Sequence, residues 1–385
     1  MGGRIKSESA MVSGVSLMSL VIANGWAAAQ TDAVAAKNNE IEEIVVHTDK
    51  VTRDLQKTPA AVTAVDGESL EKMNVVEAAD LTGLVPGVTI AKNEGYNRVV
   101  SIRGIGFETP QNDSAQPSVA YHLDDVYIVS PIALNADFLD VKQIEVARGP
   151  QGTVFGQNAT GGNINVVTNQ PILGDSSGSA SFSYGTYNLD RAEGEANVPI
   201  GDTLALRLAV LQNRHDGFAK ATEVPGYPNG YDEDNANDVT ARLTALWRPV
   251  DNLAVTFETN FFNTDQNERA EKSILDPNPD PRELTQDFPG KFRMQSQQYA
   301  LKADYDLGFA DLKSITSLQY LREFQSISNA RLSFSAEQAL LGPNAADGYG
   351  ADIIPDTDRR IHSETQEINL ASKPGSDLEW LLGAF

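Results

Sequence analysis

The stretch IEVARGPQGTVFGQNATGGNINVVT, Ile144 to Thr168, sets five glycines between two β-branched runs. What that glycine-rich segment holds decides the fold. A nucleotide phosphate is the first reading to test. A P-loop needs Gly-x-x-x-x-Gly-Lys followed by Ser or Thr, the lysine neutralising phosphate and the hydroxyl meeting magnesium. No lysine occurs between Gln143 and Gln170. The nearby RGIGFET, Arg103 to Thr109, has only two glycines of a dinucleotide fingerprint and no helix pattern after it. Both nucleotide readings fail. Glycine here serves positive backbone angles and close backbone approach to a neighbouring surface.

The totals narrow the function classes further. A chain of 385 residues with 41% apolar content has the length and composition of a folded protein of two or three domains. Its formal net charge of -23, from 53 acidic and 30 basic residues, repels nucleic acid phosphates, so no nucleic acid partner is expected. Cysteine is absent, which excludes disulfides, a thiol nucleophile and cysteine-ligated metal sites. The 4 histidines are scattered, and neither a cofactor nor a metal site is predicted.

Arg4 and Lys6, then MVSGVSLMSLVIANGWA, then Ala27-Ala28-Ala29 before Gln30, have the form of an export signal over residues 1–29. No other stretch approaches the roughly 20 continuous apolar residues of a membrane helix, so any membrane crossing must use strands. After a small, polar linker comes EEIVVHT, Glu42 to Thr48, a β-branched island with no local core. From about residue 58 to 170 the pattern is compact and mixed. It predicts a strand at AAVTAVDG, short helices at GESLEKMN and VVEAADLTGLVPGV, strands at RVVSIRGI and SVAYHLDDVYI, and a helical turn near Ala136 to Leu139. This is a small α+β domain.

After Pro171 the alternation has period two. Ala192, Gly194, Ala196, Val198 and Ile200 oppose Arg191, Glu193, Glu195 and Asn197, and Val239, Ala241, Leu243, Ala245 and Trp247 oppose Thr240, Arg242 and Thr244. Tight turns at PIGD, RPVDN, GFAD and KPGSD alternate with long polar loops near residues 214–238, 264–294 and 325–361. Short turns on one side and long loops on the other mark an outer-membrane barrel rather than a soluble sandwich.

These motifs together resemble the TonB-dependent outer-membrane receptors. The opening stretch resembles the end of that family's plug, with Ala147 where Leu is common. SIRGIG at Ser101 to Gly106 and HLDDVYI at His122 to Ile128 resemble two further plug motifs, Asp125 standing where the family usually has Gly. EEIVVHT resembles the TonB box, with His47 where Thr is common. The resemblance implies an α+β plug domain followed by an antiparallel transmembrane β-barrel. It divides the chain into a signal peptide at 1–29, a linker with the TonB box at 30–48, a plug at 49–171 and barrel strands at 172–385. It implies TonB, with its ExbB–ExbD energy complex, as partner of Glu43, Ile44, Val45 and Val46, outer-membrane lipid around the strands, and a scarce solute such as an iron–siderophore as ligand. Arg103 and Arg148 sit where the family sets plug arginines against barrel acids, with Glu193 and Glu195 as their expected partners. Tyr96, Phe107 and Gln111 are the expected ligand contacts, near a plug apex and in the Gly106 to Pro117 loop.

An importer leads the alternatives. A signal-transducing receptor of the same family carries a folded domain before the TonB box, and only about a dozen residues separate Ala29 from Glu42. A β-barrel binding protein without active transport is the other alternative, and no catalytic constellation is assembled by the motifs, so no enzyme activity is expected. Counting from Gly178 gives about nine strands against about 22 in plugged transporters. Eight or nine strands close on a lumen that their own side chains fill, so the barrel is expected to be incomplete in this chain, a fragment.

Overall fold

The computed structural model describes residues 45–46, 53–54, 61–93, 95–106, 116–224, 226–286, 288–327, 332, 338–339, 342 and 356–385. The export signal, Glu43, Ile44, Phe107 and Gln111 lie outside the described residues, as does most of the 325–361 loop.

Strand β1 (Val45–Val46) pairs antiparallel with β2 (Arg53–Asp54). Then come β3 (Ala61–Asp66), helix α1 (Gly67–Lys72), and an antiparallel sheet of β4 (Val88–Asn93), β5 (Asn97–Ile102) and β6 (Ile105–Gly106). Asp66 caps α1 by accepting from the Ser69 N–H at 2.8 Å, the role short polar side chains fill at helix starts. Next are β7 (Val119–Leu123), β8 (Val126–Tyr127), β9 (Val141–Arg148), the single-turn helix α2 (Gly152–Phe155) and β10 (Gly162–Thr168). They form a sheet in the order β3-β9-β10-β7-β8, with β10 and β7 parallel and the other pairs antiparallel. Leu70, Leu81, Val85, Ile90, Ile102, Ile144, Val146, Ile164 and Val166 form the buried core between the two sheets.

Three local expectations are corrected. VVEAADLTGLVPGV forms only a 3-10 turn, Ala78–Leu81, because Asp80 binds the Val76 and Glu77 N–H groups and Gly83 and Gly87 take positive φ. The expected helical turn near Ala136 to Leu139 is shifted to Pro131–Asn135, Pro131 standing at a helix start where its missing N–H costs nothing. SVAYHLDDVYI is a hairpin rather than one strand. Asp124 and Asp125 form its two-residue turn, with φ of 49° and 67°, a left-handed pair that short polar side chains tolerate.

The second part is a nine-stranded antiparallel sheet: β11 (Ser177–Tyr184), β12 (Asp190–Ile200), β13 (Leu204–His215), β16 (Ala236–Val250), β17 (Leu253–Asn267), β19 (Lys291–Asp306), β20 (Ala310–Ser326), β21 (Asp356–Ser372) and β22 (Leu381–Ala384). Two long loops contribute β14 (Ala219–Thr222), β15 (Tyr231–Glu233) and β18 (Glu283–Thr285), a small sheet on the long-loop side. Burial is inverted relative to a soluble sandwich. Leu243, Trp247, Phe257, Leu301 and Tyr305 are exposed, while Thr240, Arg242, Thr244, Glu258, Gln298, Lys302 and Gln319 are buried against the first domain. Apolar outside and polar inside is the pattern of a barrel wall in lipid. Among the described residues no helix is long and apolar enough to cross a membrane. Among the described residues, strands β11 and β22 each pair on one side only.

The glycines of the opening stretch act through backbone geometry. Gly162 has φ +149°, and a Cβ there would lie 2.4 Å from the Ala147 carbonyl oxygen of β9 and 2.8 Å from Ile102. Gly156 has φ +74° with open space around it. Gly162→Ala should therefore cost more than ~2 kcal/mol through overpacking and strain, whereas Gly152→Ala, at an ordinary φ and with open space around it, should cost almost nothing. Urea unfolding of the two variants side by side checks the order.

Candidate functional site

The polar inner face of the sheet meets the first domain along a seam with three anchor points. The first is the segment Asp137-Phe138-Leu139-Asp140, which leads directly into β9. Arg191 of β12 lies 3.1 Å from the Asp137 carboxylate, which also accepts from the Asn213 amide at 3.0 Å. Arg207 of β13 binds Asp140 through both Nε and Nη2 at 2.6 Å each. Arg242 of β16 donates to the Leu139 carbonyl at 2.7 Å. Leu139 itself packs on Ala209 and Leu211. Three arginines from three adjacent strands thus grip three of four consecutive residues. The paired fork of Arg207 on a carboxylate is the strongest of these geometries.

The second anchor is the Asp124-Asp125 turn. Asp124 accepts from the Thr168 N–H at 2.8 Å and hydroxyl at 2.7 Å, fixing the hairpin to β10. Asp125 reaches the wall, where Lys313 of β20 stands 2.6 Å away, and it accepts from Asn165 at 3.1 Å. Gln319 donates to the Tyr127 carbonyl at 2.6 Å. Behind them Lys302 and Glu258 pair within the wall at 3.0 Å. Burial and the Glu258 charge push the Asp124 carboxyl above its ordinary value.

The third anchor is the β4–β5 tip. Tyr96 stacks on Phe292 with ring centroids 4.0 Å apart and donates to the Asn267 carbonyl at 2.8 Å. Its own N–H donates to Gln325. The ring is packed between the nine-stranded sheet and the first domain, stacked on Phe292.

The expected ion pairs are corrected as well. Arg103 is exposed with φ 54° and has no carboxylate partner among the described residues. Arg148 donates weakly to the Ala61 and Pro86 carbonyls of its own domain, each at 3.4 Å. Glu193 accepts from the Asp140 N–H at 3.5 Å and lies 3.6 Å from Arg191 on its own strand, and Glu195 accepts from Ser179. The seam's charges run the other way: acids on the inner domain, bases on the wall. Alternation did place Arg191 and Arg242 on the polar face. Their partners, more than fifty residues away in sequence for Arg191 and over a hundred for Arg242, had no local signal. Val45 and Val46 stand in β1, already paired to β2.

Residues 54–163 match the model of the TonB-dependent Receptor Plug Domain. The chain is 29% identical over 189 residues to the pesticin receptor of Yersinia pestis, covering 48% of this chain and 27% of that protein. It is 28% identical over 173 residues to the catecholate siderophore receptor Fiu of Escherichia coli K12, covering 43% of this chain and 21% of that protein. Its fold is similar to the crystal structure of the ferric yersiniabactin uptake receptor FyuA from Yersinia pestis, with TM-score 0.69 and 21% identity over 84% of this chain and 47% of that one. The matched region is thus about a quarter of the length of these curated relatives, and about half that of the solved structure.

Asp137 links the seam to pH. Burial first, and then the Asp238 charge, push its carboxyl up to about 7 against the opposing pull of Arg191. A carboxyl raised on docking favours the docked state fully below its ordinary value near 4, and that contribution is lost as pH rises through about 7. Protease protection of the plug in urea should therefore weaken between pH 4 and 7, by at most ~1.4 kcal/mol per pH unit. Asp137→Asn should flatten that slope.

Proposed function

We propose, for a chain that carries the plug domain and part of the barrel wall of the TonB-dependent receptors, that it serves energy-coupled import of a scarce solute through the outer membrane of a Gram-negative cell. The observation that carries this reading is a polar-faced wall, apolar on its outside, gripping a folded plug through ion pairs. A plug so held blocks the lumen, and opening it requires work. The outer membrane has no nucleotide pool, so the work comes from the inner membrane through TonB and its ExbB–ExbD complex. An iron chelate is the solute class to which the siderophore receptors among its relatives point. The plug and wall are binding and gating parts, and no enzyme activity is assigned to them.

Val45 and Val46, with Glu43 and Ile44 before them, are the proposed TonB contact. An extended segment joins a partner edge to edge, with backbone hydrogen bonds giving affinity and alternate side chains giving register. Because β1 already pairs with β2, the partner strand uses the other edge of β1 or displaces β2. A wall formed by this sheet also needs further strands to satisfy the free edges of β11 and β22, since each unpaired backbone group costs several kcal/mol in lipid.

Val45→Pro removes a strand N–H and fixes φ. In the receptor in its outer membrane it should abolish energy-dependent accumulation of an iron chelate and leave surface binding intact. Arg53→Pro disturbs the β1–β2 ladder, where Arg53 faces Val46, without changing residues 43–46 and should keep accumulation. Normal accumulation in the Val45 variant would contradict the assignment.

A further inference from the structure

The loop between β17 and β19 meets the plug at the β4–β5 tip and is built around one lysine. On the plug side, Glu271 accepts from the Gly95 N–H at 3.2 Å and Arg269 stands over the Tyr96 ring at 5.6 Å. The Tyr96 hydroxyl donates to the carbonyl of Asn267, the last residue of β17. The tip has no slack there. Gly95 has φ +68°, and a Cβ on it would lie 2.9 Å from Nε2 of Gln325 on β20.

Lys272, next in the chain after Glu271, turns its ammonium into a turn of its own loop. Nζ donates to the carbonyls of Asn278 at 2.6 Å, of Glu283 at 2.7 Å and of Asp280, with the buried Asp276 carboxylate 4.0 Å away. An ammonium has three N–H donors and no acceptor, so three carbonyls meet it in full. The turn that supplies them is stiff. The side chains of Asp276, Asn278 and Asp280 each accept from the N–H two residues on, at 2.8, 2.9 and 2.8 Å, as in Asx turns. Pro277, Pro279 and Pro281 fix φ between them. The far end is sewn to the neighbouring loop: the Arg282 carbonyl accepts from the Lys220 N–H at 2.8 Å, and β18 pairs parallel with β14.

The four residues Arg269 to Lys272 therefore hold the plug tip at one end and the turn at the other, with the Ala270 N–H donating to Asp234 between them. We propose that the β17–β19 loop is a strap, in which Lys272 is a positioning residue that makes the 276–283 turn and the plug tip one mechanical unit. A displacement of the turn that carries Lys272 with it also carries Glu271, and so releases Gly95 and Tyr96. The strap deepens the uptake reading by naming a route from the long-loop side to the plug, and rests on that reading only for what the release serves.

Hydrogen exchange read by mass spectrometry on the full chain in detergent tests it. Lys272→Met keeps the stem and removes the ammonium, and Pro279→Gly frees the turn and leaves Lys272 in place. Each is expected to speed exchange over residues 276–285 and, at least about tenfold, at the Gly95 and Tyr96 amides. The Thr168 amide, held by Asp124 at the second anchor, should keep its wild-type rate. Faster exchange confined to 276–285, with Gly95 and Tyr96 at the wild-type rate, overturns the strap, as does a turn left unchanged by Lys272→Met. If Lys272→Met speeds Thr168 too, the plug as a whole is loosened and Pro279→Gly alone decides. An overturned strap, with uptake still blocked by Val45→Pro, would leave the import reading standing.

Discussion

The grip of Arg191, Arg207 and Arg242 on Asp137 to Asp140 is the constraint from which the rest of the arrangement follows. A strand whose outer side chains face lipid must turn its polar side chains inward, and buried polar groups need partners. The plug supplies them. Because Asp140 immediately precedes β9, fixing that carboxylate on Arg207 fixes the start of the strand to which both β3 and β10 pair. The plug's main sheet is therefore hung from the first strands of the wall, and the Asp124–Asp125 turn meets β20 at its far side.

Such a seam holds without being welded. Taking a carboxylate and a guanidinium out of water offsets much of their attraction, yet breaking one partner away leaves a buried charge and costs roughly 3–5 kcal/mol. Apolar contacts at the seam are small and separate: Leu139 on Ala209 and Leu211, Val126 on Ala300 and Ile315, Tyr96 with Ile132 on Phe262 and Phe292. Between them Thr240, Thr244 and Gln298 of the wall have buried polar atoms with no protein partner. An interface of discrete polar clamps and small apolar contacts resists spontaneous release but, among the described residues, contains no continuous hydrophobic core to be torn.

Much of this could be read in the chain. Lipid on one side and a lumen on the other impose period two on residues such as Val239 to Trp247, so the wall and its tight turns were legible. The opening stretch was legible too, because close strand approach at Gly162 demands glycine. The clamps were not. Ala136 to Leu139 read as a helical turn, and nothing local says that the Asp137 and Asp140 carboxylates meet arginines on later strands. The family pattern set the charges the other way round, with Arg103 and Arg148 on the plug. Besides Arg191 and Arg242 on the polar face, the visible trace was Asp125, standing where the resembling family usually has glycine. Its carboxylate is what reaches Lys313.

The most direct measurement is a charge exchange across the main clamp. Asp140→Arg and Arg207→Asp are made singly and together, and plug docking is read by protease protection of the intact chain in detergent. Either single change places like charges together in a buried seam and should release the plug to protease, while the double exchange should restore most of the protection. Full protection in both single variants would contradict a plug held by its acids on the bases of the wall.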